Sequence, residues 1–248
     1  MSQDSSPSLA VILDTEGTGL DKPDVIQLAQ KGPIPFHDWA GTEAEVLLWR
    51  PNKPISIGAM ATHRIIMADL DGYPFWPGSH SLPLSVGYMI GHGVDYDWAA
   101  IGAPPVKRIC TLALAKRYWP DLDSYKLAAL IYHLIEPKMA RAMTTNAHVA
   151  AVDIQLTEFV LDNLLCEIRR EDITQNVESW EDLWRLSEAA RIPLRIGFSK
   201  YGPKNGQPGT LYSEVPLGML KWIVDPVRVN DMDPWEVKAA QQQIALRG

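Results

Sequence analysis

Hydrophobic and polar positions along the chain mark out alternating strands and helices. Residues 9–13 (LAVIL) form a short apolar run that reads as a buried strand, followed by the polar stretch DTEGTG. VIQLAQ from Val25 and VLLW from Val46 supply further strands, and residues 86–90 (VGYMI) another. Early strands in hairpin order imply a mixed sheet with helices packed on it. After Gly91 and Gly93, Asp95 is the expected N-cap of a helix running through Trp98 and Ile101. Val149, Val152, Leu156, Phe159, Val160 and Leu164 recur at helical spacing and predict a long amphipathic helix ending near Arg170, with Asn146 or a preceding threonine as its cap. Ser179 is the expected N-cap of a helix carrying Glu181 and Asp182 in its first turn, where negative charge suits the helix dipole. WEVKAAQQQIALRG closes the chain as a short helix.

Chemistry-bearing residues fall at the ends of these elements. A strand sends alternate side chains to one face, so Asp14 and Glu16 point together and Thr15 points away. Two neighbouring acids at the end of a buried strand repel each other and lose hydration, and a cation offsets both penalties. Gly17 and Gly19 then end the strand and leave bare backbone for a close approach. Asp97 falls in the first turn of the helix after the fourth strand. His148 and Asp153 are five residues apart, which on one straight helix separates them by roughly 140°. They can share a site only if His148 hangs from the loop or first turn before the helix proper.

The order of these pieces is D-x-E, then an aspartate after a glycine-flanked strand, then H-x-x-x-x-D opening a long helix. This resembles the DEDDh family of 3′–5′ exonucleases. The segments RPNKPISIGAMATHRI (50–65) and ICTLALAKRYWPDLDSYKLAAL (109–130) are similar to the family's stretches between its motifs. A likeness to the bacterial exonuclease X group covers roughly residues 9–168 and reappears near the end of the chain. The resemblance implies an α/β, ribonuclease H-like mixed five-stranded sheet with flanking helices, plus a small C-terminal module. It implies a tail at 1–8, disordered by composition, an exonuclease domain at 9–172 and the module at 173–248.

The implied activity is hydrolysis of DNA from its 3′ end to nucleoside monophosphates. Asp14, Glu16, Asp97 and Asp153 would hold two divalent metal ions, Mg²⁺ or Mn²⁺. His148 would act as general base, a task that suits imidazole because it exchanges protons near neutral pH. Thr15, Gly17 and Thr18 would contact the terminal nucleotide, Leu20 would wedge against its base, and His63 would stand near the site. An exoribonuclease of the same family and a catalytically silent module that binds nucleic-acid ends both stay open, as does a polymerase or repair partner; oligomeric state is not implied. Two positions depart from the family pattern. Gly93 stands where the family usually has asparagine, and Gln27 where it often has glutamate.

Composition changes this picture little. The chain has 248 residues, ordinary hydrophobic and charged fractions, and a net charge of −7 that the proposed metal ligands partly account for. That acidity favours a grip at a strand end over tight sequence-independent binding of long duplex. No apolar stretch is long enough to span a membrane and no signal-peptide pattern opens the chain, so a cytoplasmic location is expected. Cys110 and Cys166 sit in apolar contexts and read as reduced core residues. Arg195, Phe198, Lys200, Tyr201 and Lys204 interleave cations with aromatics in the C-terminal module, a combination suited to nucleic-acid backbone contacts and base stacking.

Overall fold

The computed structural model describes residues 9–38, 42–145, 147–171, 177–197, 209–227, 229 and 232–247. The 1–8 tail, Asn146, and Phe198, Lys200, Tyr201 and Lys204 lie outside the described residues. The chain divides into two compact units, 1–187 and 188–248.

The first unit is built on a five-stranded sheet in the order β3-β2-β1-β4-β5. The strands are β1 (Leu9–Gly17), β2 (Val25–Ile34), β3 (Glu45–Leu48), β4 (Val86–Gly91) and β5 (Lys107–Cys110). β1 and β2 are antiparallel, as are β2 and β3, whereas β4 runs parallel to both β1 and β5. This is the mixed sheet that the hairpin order requires. Ile12, Leu13, Ile26, Leu28, Met89 and Ile90 are fully buried at its centre. Apolar residues on both faces of β1 and β4 explain why these strands read as continuous apolar runs.

Helices cover the sheet. α1 (Ile57–His63) is capped by Ser56, whose Oγ accepts from the Ala59 N–H. α2 (Asp95–Ala100) follows β4, and α3 (Thr111–Tyr118) follows β5. α4 (Leu127–Leu134) and α5 (Pro137–Met143) lead into α6 (Ala150–Glu171), which packs on β1, β2, α3 and α4. The buried face of α6 is Ala150, Asp153, Ile154, Leu156, Thr157, Val160, Leu161, Leu164, Leu165 and Ile168. Val149, expected on that face, is exposed and precedes the helix.

α7 (Trp180–Ala190) begins as expected, with Ser179 Oγ accepting from the Asp182 N–H at 3.2 Å. Its first turns belong to the sheet unit. Trp180 Nε1 donates to the Ile34 carbonyl at 3.1 Å, Tyr88 Oη donates to Glu181 at 2.7 Å, and Ser187 Oγ accepts from the Cys110 N–H at 2.8 Å. The first compact unit extends through Ser187, within α7.

Two expectations are corrected. Asp95 is not the cap of α2: Val94 holds that position, and Asp95 sits inside the helix paired with Arg108 at 2.6 Å. Cys166 is exposed, because it falls on the outer side of α6; Cys110 is buried.

The second unit has its own core of Ile196, Tyr212, Val215, Met219, Leu220, Ile223, Val237, Ala239 and Ala240. α8 (Leu217–Ile223) and α9 (Pro234–Arg247) supply most of it. Glu236 ties the unit together, accepting from the Gly197 N–H at 3.0 Å and from the Tyr212 hydroxyl. Arg195 forms an isolated bridge with Leu211 and donates to the Gly209 carbonyl at 2.8 Å.

Candidate active site

The end of β1 brings Asp14 and Glu16 onto one face, the face against which α6 packs. Glu16 and Asp153 each offer a carboxylate oxygen, and His148 a ring nitrogen, all within 4.8 Å of one another. Asp97 joins from α2, the helix that follows β4, the parallel neighbour of β1. Thr15 lies between Asp14 and Glu16 on β1 and holds Asp97 beside the cluster. Its N–H and hydroxyl both donate to Asp97 Oδ1, at 2.9 and 2.6 Å. Asp14 and Asp97 lie close enough to these groups for the charges of the four carboxyls to act on one another, so among the described residues β1, α2 and α6 bring four acids into one neighbourhood.

His148 lies just ahead of α6 with φ +70°, a left-handed conformation in which histidine is tolerated better than most residues. That turn releases its side chain from the helix and lets it share a site with Asp153. Its backbone N–H donates to Asp153 Oδ2 at 3.2 Å and faces Oδ1 at 3.4 Å. The imidazole is exposed while Asp153 is buried beside it.

The electrostatics of the cluster are unbalanced. Burial, then the charges of Asp97, Asp153 and Glu16, holds the Asp14 carboxyl well above the usual carboxylate range. Burial, then Asp153 and Asp97, pushes Glu16 up to about 8. Burial pushes Asp97 up to about 7 against the two hydrogen bonds from Thr15. Asp153 is raised by burial, with the His148 N–H opposing. Four carboxyls that resist ionising together, with no cationic side chain among the causes of their shifts apart from His148, form a donor set that fits hard divalent cations. A bound cation would reverse each of these shifts.

The turn after β1 is held tightly. The Thr18 N–H donates to the Asp24 carbonyl and Thr18 Oγ1 accepts from the Asp24 N–H, both at 3.0 Å. The Ser56 N–H donates to the Thr18 carbonyl at 2.9 Å, and the Tyr96 hydroxyl to the Gly19 carbonyl at 2.8 Å. Gly17 is required here, since a Cβ would come within 2.8 Å of Pro23 Cβ and 2.9 Å of Tyr96 Oη. Thr15 and Thr18 are both buried, the Thr15 hydroxyl donating to Asp97 and the Thr18 hydroxyl accepting from the Asp24 N–H. Leu20 stands out at 91% exposed, an apolar side chain free to meet a ligand. His63 is buried. Its Nδ1 accepts from the Ile65 N–H, and burial lowers its pKa, with the Gly17 backbone opposing.

The departure at Gly93 has a backbone reason. Its φ is +86°, a conformation that glycine adopts freely and asparagine tolerates. Two residues to which the sequence assigned no role also shape the site. Tyr96 braces the turn. Gln27 pairs in register with Glu16, and its Oε1 accepts from the Ala150 N–H at 3.0 Å. The signal for Gln27 was its place where the resembled family often has glutamate.

Sheet order, helix placement and the acid cluster at the end of β1 define an α/β protein of the ribonuclease H-like class. The chain is similar over nearly its whole length to curated proteins named exodeoxyribonuclease 10 from Escherichia coli strains K12 and O6:H1: 25% identity over 230 residues, covering 90% of this chain and 93% of theirs. The resemblance to exonucleases of the DEDDh type holds. No family model matches the chain. Among solved structures, the zinc-bound E. coli exonuclease I complex with single-stranded DNA aligns with TM-score 0.50 and 16% identity, covering 67% of this chain and 42% of that one. Exonuclease X in complex with 5′-overhanging duplex DNA aligns with TM-score 0.46 and 23% identity over 71% of this chain and 99% of that one. No helix among the described residues is long and apolar enough to cross a membrane.

Proposed function

We propose that the protein is a metal-dependent 3′–5′ exonuclease that releases nucleoside monophosphates from DNA ends. The observation that carries this reading is the convergence of Asp14, Glu16, Asp97 and Asp153 from β1, α2 and α6, all with raised pKa values, beside an exposed His148. A module that only binds nucleic-acid ends has no use for four converging carboxyls. The curated relatives are named exodeoxyribonucleases, which supports DNA over RNA.

The four carboxylates would hold two divalent ions, Mg²⁺ or Mn²⁺. Bound there, such ions supply Lewis-acid stabilisation of charge at the scissile phosphate. His148 accepts the proton of the attacking water at a ring nitrogen, and its left-handed backbone keeps that ring outside the helix, open to solvent. Thr15 holds Asp97 in place through two hydrogen bonds. The backbone of the braced turn at Gly17 and Thr18 lines the path of the terminal nucleotide, with Leu20 against its base and His63 buried beneath.

The test is 5′-labelled single-stranded DNA and RNA of equal sequence, incubated with Mg²⁺ or with EDTA. Stepwise shortening of DNA from its 3′ end in Mg²⁺ alone is expected. Absence of Mg²⁺-dependent shortening of either strand would overturn the reading, and preference for RNA would reassign the substrate. One observation favours a second role for His148: its ring nitrogen lies close enough to Glu16 and Asp153 to share a cation with them. If so, His148→Ala weakens Mn²⁺ binding as strongly as Asp153→Ala does; a general base leaves it nearly unchanged.

A further inference from the structure

β2 ties α6 to the sheet at two points. Lys31 Nζ meets Glu158 Oε1 at 2.6 Å. Four residues earlier on the strand, Gln27 Oε1 accepts the Ala150 N–H at 3.0 Å. The two ties are consistent in spacing. Four strand residues advance roughly 13 Å, and the eight helix residues from 150 to 158 advance roughly 12 Å. The helix therefore lies along the strand, and Gln27 is the tie at the end that carries the site.

Register sharpens this. Gln27 is the direct antiparallel partner of Glu16, so the two side chains stand next to each other on the same face. Ala150 lies between His148 and Asp153. The first N–H groups of any helix lack partners inside it, and here the neighbouring Val149 has no side-chain oxygen to offer. His148 N–H turns to Asp153, and Ala150 N–H turns to the strand. One amide thus touches the helix start from beside the first motif.

We propose that Gln27 is a positioning residue: its side-chain oxygen fixes the first turn of α6, and with it the placement of His148 and Asp153 relative to Glu16. This rests on the reading of those three as parts of one site.

Two variants of the full chain test it. Gln27→Met keeps the length and loses the acceptor; Gln27→Glu keeps an acceptor oxygen. Amide hydrogen exchange of the metal-free protein should rise in Gln27→Met by up to about tenfold, the value of one lost hydrogen bond, in peptides spanning residues 147–156 only. With single-stranded DNA, kcat should fall by about tenfold or more while KM stays within about twofold, as expected for misplaced reacting groups. Gln27→Glu should restore both local protection and kcat. Unchanged exchange and kcat in Gln27→Met would overturn the proposal. So would a rise spread evenly over residues 9–171, an insoluble Gln27→Met variant, or a Gln27→Glu variant that behaves like Gln27→Met. Should the wild type lack Mg²⁺-dependent cleavage, the exonuclease reading fails by itself, and exchange alone decides whether Gln27 orders the helix start.

Discussion

The two ends of the β2–α6 contact handle buried charge in opposite ways. At one end Lys31 and Glu158 neutralise each other at 2.6 Å, with side chains only 7% and 22% exposed. At the other, Asp14, Glu16, Asp97 and Asp153 gather with carboxyls pushed above their ordinary range. α6 therefore contributes Glu158 to one finished ion pair and Asp153 to one cluster that needs something from outside. The paired end supports the fold. The unpaired end gives up stability in the metal-free protein to keep a site ready for cations.

The largest effects should come from breaking the unpaired end. Asp14→Ala or Asp153→Ala should lower cleavage by roughly 10³-fold or more, the equivalent of about 4 kcal/mol of transition-state stabilisation. Folding, followed by circular dichroism, should be retained. His148→Ala should lower kcat by about 10²–10⁴-fold, the usual share of general-base catalysis, with Mn²⁺ affinity held if the base assignment is right.

Breaking the paired end should do the reverse. Lys31→Met strands Glu158 and should cost about 2–3 kcal/mol of stability, the lower side of a buried pair because Glu158 keeps some solvent contact. Activity of the folded fraction should be nearly unchanged. Adding Glu158→Leu should recover most of that loss in a urea titration. Failure to recover it would mean that the pair is more than charge compensation.

The legibility of this contrast in the sequence was uneven. The strand period of two placed Asp14 and Glu16 on one face, and the structure keeps that arrangement. The five-residue gap between His148 and Asp153 demanded that the histidine precede the helix, and its φ of +70° meets that demand. Tertiary partners were not legible. Asp95 looked like a cap but sits within α2 and pairs with Arg108 from β5. Gln27 offered only a departure from a family glutamate until the register set it beside Glu16 and its partner, the Ala150 N–H, was found 123 residues further along the chain. Cys166 sat among apolar neighbours in sequence, yet the rotation of α6 turns it outward.

A smaller effect concerns pH. The folded carboxyls titrate above their unfolded values, up to about 8 for Glu16 and about 7 for Asp97. Between the ordinary carboxylate range and those values, the native state binds more protons than the unfolded chain. Their contribution to stability is thus present at low pH and lost as pH rises through the folded values. The Tm of EDTA-treated protein should fall between pH 5 and pH 8, and Mg²⁺ should flatten the trend. Asp14→Asn should raise the metal-free Tm by about 2–8 °C, corresponding to ~1–2 kcal/mol of relieved repulsion and burial. A lower Tm in that variant would mean that the Asp14 carboxyl is compensated within the protein.

The most direct test of the unbalanced cluster is the number of protons released when a cation binds. Mn²⁺ is titrated calorimetrically into wild-type protein at pH 7 in buffers of different ionisation enthalpy. Because Glu16 and Asp97 are pushed up to about 8 and about 7 in the absence of metal, and Asp14 is held well above the usual carboxylate range beside them, binding should expel at least one proton per protein, and Asp14→Asn should reduce both the release and the affinity. Binding with no proton release, or equal release and affinity in Asp14→Asn, would contradict the account.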